Sequence, residues 1–82
     1  MKFTRRPNLS VDIAGQVVEF EVWACEQRDH SYVITRRGDW YKATTKRFGG
    51  EIGDGTTIPL GDFQRFSDAQ AACEAFSKQQ VH

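Results

Sequence analysis

The side chains able to do chemistry in this chain are few and scattered. His30 and His82 are its two histidines, and Cys25 and Cys73 its two cysteines. No histidine–cysteine spacing among them is that of a zinc site. Both histidines therefore read as solvated side chains. Both cysteines read as small buried hydrophobes, with a reactive thiol or a bridge between them the less economical alternatives. Glu19 and Glu21, two positions apart on a strand, would share a face about 7 Å from each other. That suits a pair of carboxylates, although a solvated strand face explains them with less. The stretch from Gly49 to Gly55 holds four of the seven glycines, yet it lacks the G-x-x-x-x-G-K-[ST] and G-x-G-x-x-G patterns that cradle phosphates. Glu51, Asp54 and Asp62 lack the twelve-position calcium-loop pattern. No nucleophile, base and orienting group come together, so the expectation is a non-enzymatic binding module with no catalytic residue, cofactor or metal.

The charges are more informative. The chain carries 11 Lys+Arg against 11 Asp+Glu, a net charge of zero that excludes a histone-like polycation and an acidic DNA mimic. The neutral total hides a dipolar distribution. Residues 1–10 carry Lys2, Arg5 and Arg6, residues 36–47 carry five cations against Asp39, and residues 51–82 carry an excess of acids. With 82 residues, 39% hydrophobic and 12% aromatic, the chain is long enough for one thin core and too apolar for a disordered tail. Two cysteines are too few for a disulfide framework. No secretory signal or membrane span is visible, so a cytoplasmic location is the expectation, and a membrane partner is not.

The elements that position these side chains follow from periodicity. Residues 1–10 read as a basic flexible arm interrupted by Pro7, and residues 11–82 as one small α+β domain. Val11 and Ile13 precede a turn at Ala14-Gly15-Gln16. Beyond it Val18, Phe20, Val22 and Ala24 alternate with Glu19, Glu21, Trp23 and Cys25, and the first set reads as the core face. Glu26 to His30 is a polar turn. Ser31–Arg37 and Trp40–Arg47 flank Gly38-Asp39, which suits a type II′ hairpin turn because glycine tolerates a positive φ at its first position. That turn pairs Arg37 with Trp40, Thr35 with Lys42 and Ile34 with Ala43. One face then carries Tyr32, Ile34, Arg36, Tyr41, Ala43 and Thr45, and the other Val33, Thr35, Arg37, Trp40, Lys42, Thr44 and Lys46. Thr56–Leu60 reads as a short edge strand, given Pro59. Ser67 to Gln70 matches a capping box, and Ala69, Ala72, Cys73 and Phe76 form the apolar stripe of a final helix whose end, from Ser77, frays. The fold class predicted is an antiparallel sheet of three to five strands packed against one C-terminal helix. Its core is expected from Val18, Phe20, Val22, Ile34, Tyr41, Leu60, Phe63, Ala72, Cys73 and Phe76.

Arg36-Arg37-Gly38, then Trp40 and Ala43, then Leu60-Gly61-Asp62-Phe63, then Asp68-Ala69 and Ala72 stand in that order over residues 32–78. In this the chain resembles the ethylene-response-factor DNA-binding domain and the related amino-terminal domain of phage integrases. The resemblance implies three antiparallel strands on one helix, with the sheet laid in the DNA major groove and Arg36, Arg37, Trp40 and Lys42 as sheet contacts. The charge map adds Thr44 and Lys46, since cations and hydroxyls contact phosphates and an aromatic can stack on bases. The chain departs from that family in its strand material before residue 32, its longer glycine-rich loop and its zero net charge. DNA or RNA binding through a basic sheet face is thus one expectation. The other is a small inhibitor or adaptor of the kind phages and mobile elements direct at a host protein, such as a nuclease or a CRISPR complex, with Glu19, Glu21 and Trp23 as a second surface. A homodimer through an exposed strand edge is a third.

Overall fold

The structure, a computed structural model, describes residues 1–27, 30–47 and 57–79. The expected glycine-rich loop, Glu51, Asp54, His82 and the end of the expected helix fray lie outside them, as does the middle of the turn before His30. Five strands precede one helix: β1 (Thr4–Ile13), β2 (Gln16–Glu26), β3 (His30–Arg37), β4 (Trp40–Arg47), β5 (Thr57–Phe63) and α1 (Phe66–Gln79). The strands form one antiparallel sheet in the order of the chain. This is the α+β arrangement that the residue pattern predicts.

The β3–β4 hairpin is the part that the turn chemistry determines most tightly. Gly38 has φ +60° and Asp39 is not in the positive-φ region, as a type II′ turn requires. The pairs Arg37–Trp40, Arg36–Tyr41, Thr35–Lys42 and Ile34–Ala43 follow. The side chains of Tyr32, Ile34 and Ala43 are consequently buried together beneath α1, along with Ala69 and Cys73 of the helix. Small residues meet at the centre of this contact: Ala43 pairs with Gly61 on the sheet side, and Ala69 faces them from the helix. They let the helix approach closely. Trp23, Tyr41, Leu60, Phe63, Phe66 and Phe76 close the rim. Thr45, itself buried, donates its hydroxyl to the Ser31 carbonyl at 2.9 Å, so no polar group is stranded there.

Three local expectations change. Residues 4–10, read as a flexible arm, run in β1, and Met1 and Phe3 pack against the core, with Phe3 edge-on to Phe66 at 6.0 Å. Pro7 is tolerated because β1 is an edge strand and the register breaks between Arg6 and Leu9. The core face of β2 is the opposite of the expected one. Trp23 pairs with Ile34 and packs on Tyr41 and Phe66, with ring centroids 6.0 and 5.1 Å away. Cys25 is buried beside Tyr32. Val18, Phe20, Val22 and Ala24 therefore point away from the helix and are no part of its core. Finally, α1 starts ahead of Ser67: the Ala69 N–H donates to the Arg65 carbonyl, which places the cap at Arg65. Gln70 does not reach back to a cap but donates to the Met1 carbonyl at 3.0 Å.

The helix backbone lies close to β3, β4 and β5, and β2 meets it through the Trp23 ring on Phe66. Over its whole width the sheet has a second face with no element packed on it among the described residues. Both edge strands carry a proline, Pro7 in β1 and Pro59 in β5, and both pairings contain a register shift. Such irregularities blunt an edge against pairing with another strand.

Candidate functional site on the open sheet face

Because facing residues of paired strands share a side, the register assigns every side chain of the open face. One row across the sheet reads Arg6, Val22, Thr35, Lys42 and Asp62, and the next reads Thr4, Ala24, Val33, Thr44 and Pro59. On the turn side of these lie Leu9 opposite Phe20, and Arg37 opposite Trp40. Lys46 stands at the far end of β4, opposite Ser31. The result is an apolar floor, Phe20, Val22, Ala24 and Val33, with Arg6, Arg37, Lys42 and Lys46 set in and around it. Glu26 and Asp62 are the carboxylates of the strands on this side, Asp62 directly opposite Lys42, and Asp39 stands in the β3–β4 turn beside Trp40. Among the described residues none of the four cations forms an ion pair.

Trp40 is 52% exposed although it is the largest side chain on this face. An open groove of about 800 Å³ runs beneath it, bordered by Phe20 and Trp40, the cations Arg37 and Lys42, and the carboxylates Asp39 and Asp62. The Arg37 guanidinium lies over the Phe20 ring, 6.0 Å from its centroid. Along β4, Trp40, Lys42, Thr44 and Lys46 recur at every second residue, about 7 Å apart. A flat aromatic, a cation, a hydroxyl and a second cation thus stand in line over about 20 Å.

Five of the six residues singled out from the sequence, Arg37, Trp40, Lys42, Thr44 and Lys46, share this face. Arg36 does not. It lies on the helix side, where its Nη1 donates to Glu21 at 3.1 Å and its Nε to the Gly38 carbonyl at 3.0 Å, with the guanidinium over Tyr41. Glu21 also pairs with Arg5 at 3.8 Å, and Arg5 lies over Trp23. Glu21 is therefore held between two cations. Trp23, counted as part of a second surface, is instead packed into the core rim.

The remaining reactive groups are enclosed. His30 is buried rather than solvated, packed between Tyr32 and Phe76 with centroids 6.2 and 5.6 Å away. Cys73 is fully buried, and burial, with smaller contributions from Cys25 and Glu74, pushes its thiol up to about 11. A thiol so held carries little thiolate at neutral pH and is a poor nucleophile. Among the described residues no three His, Cys, Asp or Glu side chains are placed to hold a metal ion, and no helix is long and apolar enough to cross a membrane.

No known family, curated protein or solved structure matches this chain.

What sequence reasoning missed on this face is Phe20, Val22 and Arg6. Their signal was present, since Val18, Phe20, Val22 and Ala24 do alternate. The alternation says that they share a side and leaves open which side. The bulge at Pro7 hid Arg6, because pairing across it cannot be counted from the turn.

Proposed function

We propose that the protein is a nucleic-acid-binding module that works through the open face of its sheet. The observation that supports this most is the composition of that face: four cations free of ion pairs among the described residues and a half-exposed Trp40 on the side that the helix leaves uncovered. Phosphates accept from Arg, Lys and Thr without regard to sequence, and an aromatic plane adds stacking. The resemblance to the three-strand-and-helix DNA-binding domains supports the same side of the sheet, because those domains use the face away from their helix. Arg36, bonded on the helix side, is left out of the contact set, and Arg37, Trp40, Lys42, Thr44 and Lys46 carry it, with Arg6 added.

The test is a titration of labelled oligonucleotides at several salt concentrations. Four phosphate contacts predict that log K falls with log salt at a slope of about −3 to −4. Lys42→Gln and Lys46→Gln are each expected to make the slope shallower by about 1. Binding without salt dependence, or a slope that neither substitution changes, would contradict the assignment of these side chains.

A further inference from the structure

We infer that the nucleic acid taken by this face is single-stranded, laid along β4 with bases stacked at Trp40 and Phe20. This rests on the nucleic-acid reading above and narrows it by width, floor and charge.

Width comes first. Five strands place β1 and β5 about 19 Å apart, with four intervals of about 4.8 Å between neighbours. The major groove of B-DNA is about 12 Å wide and admits an α-helix or a two-stranded ribbon. A sheet of three strands spans about 10 Å and can enter it. Here β1 and β2 extend the same surface beyond β3, so the sheet is too broad to seat Trp40, Lys42 and Thr44 on base edges. A single strand needs no such entry. It can lie across an open sheet and present its bases to it.

The floor agrees. Phe20, Val22, Ala24 and Val33 form an apolar surface on β2 and β3, with Arg6 on its β1 side and Thr35 between it and Lys42. A duplex shows the protein its phosphates, sugars and base edges, where the thymine methyl group is the main apolar contact, so an aliphatic and aromatic floor gains less from it. The apolar faces of bases become available only when the bases are unstacked from one another. The groove of about 800 Å³ between Trp40 and Phe20 is open to solvent and bordered by Arg37 and Lys42, with Asp39 and Asp62 also on its lining. Those cations would meet the phosphates of the stacked nucleotides. A second copy of the same face is the poorer occupant, because it would bring together two surfaces that each carry Arg6, Arg37, Lys42 and Lys46.

Fluorescence anisotropy of an end-labelled oligothymidine of about 15 nucleotides, against a mixed-sequence duplex of the same length, tests the inference in low salt. The single strand is expected to bind at least about tenfold more tightly than the duplex. Trp40→Ala should weaken single-strand binding about tenfold or more with little effect on the salt slope or the melting temperature, since Trp40 is half exposed. Phe20→Leu, which keeps the floor apolar while removing the ring, should weaken it in the same sense. Equal or tighter duplex binding overturns the single-strand inference and leaves nucleic-acid binding standing. Single-strand binding that neither substitution weakens also overturns it. Binding of neither probe overturns both.

Discussion

The turn that opens the sheet shows how one residue stores strain. Ala14 has φ +52° and is followed by Gly15 at +82°, the paired positive angles of a type I′ turn. The second position suits its glycine, but the first puts an alanine Cβ in the left-handed region, which costs roughly 1 kcal/mol. Asparagine is the residue preferred there. Ala14→Asn should therefore raise stability by about 0.5–1 kcal/mol, read from urea unfolding. A variant less stable than the parent would mean that the turn is of another type. Cys73 gives a second prediction at this scale. Its thiol is raised from 9.0 to about 11, so the native state keeps a proton that the unfolded chain gives up. Its contribution is fully present below about pH 9 and is lost as pH rises toward 11, by about 3 kcal/mol in all. Stability of Cys73→Ala, followed over the same range, should decline less steeply than that of the parent. Parallel declines would show that Cys73 is not the group responsible.

At the scale of elements, the β3–β4 hairpin could be read from sequence because a two-residue turn with a leading glycine fixes register, and register fixes faces. β2 could be read only in part. Both of its faces are apolar enough to be core, one through Val18, Phe20, Val22 and Ala24 and the other through Trp23 and Cys25. The helix settles the matter, because a single indole packed on Tyr41 and Phe66 removes more surface from water than any one valine. The start of the helix was misplaced for a similar reason. Ser67 has the right chemistry for a cap, but where the chain enters α1 depends on how Phe66 packs against Trp23, Tyr41 and Phe3. The candidate site inherits this division: its β4 residues were legible, and its β2 floor was not. A pair of substitutions tests the facing. Trp23→Ala should cost about 3–5 kcal/mol, whereas Val22→Thr, on the uncovered side, should cost less than about 1 kcal/mol. Reversed magnitudes would put Val22 beneath the helix.

The whole molecule is a broad sheet covered by its helix on one side and over part of its width. Its extents of 44 × 32 × 19 Å reflect this flat shape. The helix side contains the core, the Arg5–Glu21–Arg36 cluster and the enclosed histidine and thiols, all of them groups that hold the structure together. The other side has four cations without ion pairs among the described residues, the groove and the exposed indole, which contribute little to the fold. Proline and register shifts at both sheet edges disfavour growth by strand addition, which favours the uncovered face over an edge as the proposed binding surface. The central claim is that this face is where nucleic acid binds. Amide chemical-shift mapping during titration with an oligonucleotide tests it directly. The account predicts shifts concentrated at Phe20, Thr35, Arg37, Trp40, Lys42 and Thr44, with Ala69 to Phe76 of α1 unmoved. Shifts concentrated on α1, or none at any oligonucleotide concentration in low salt, would contradict it.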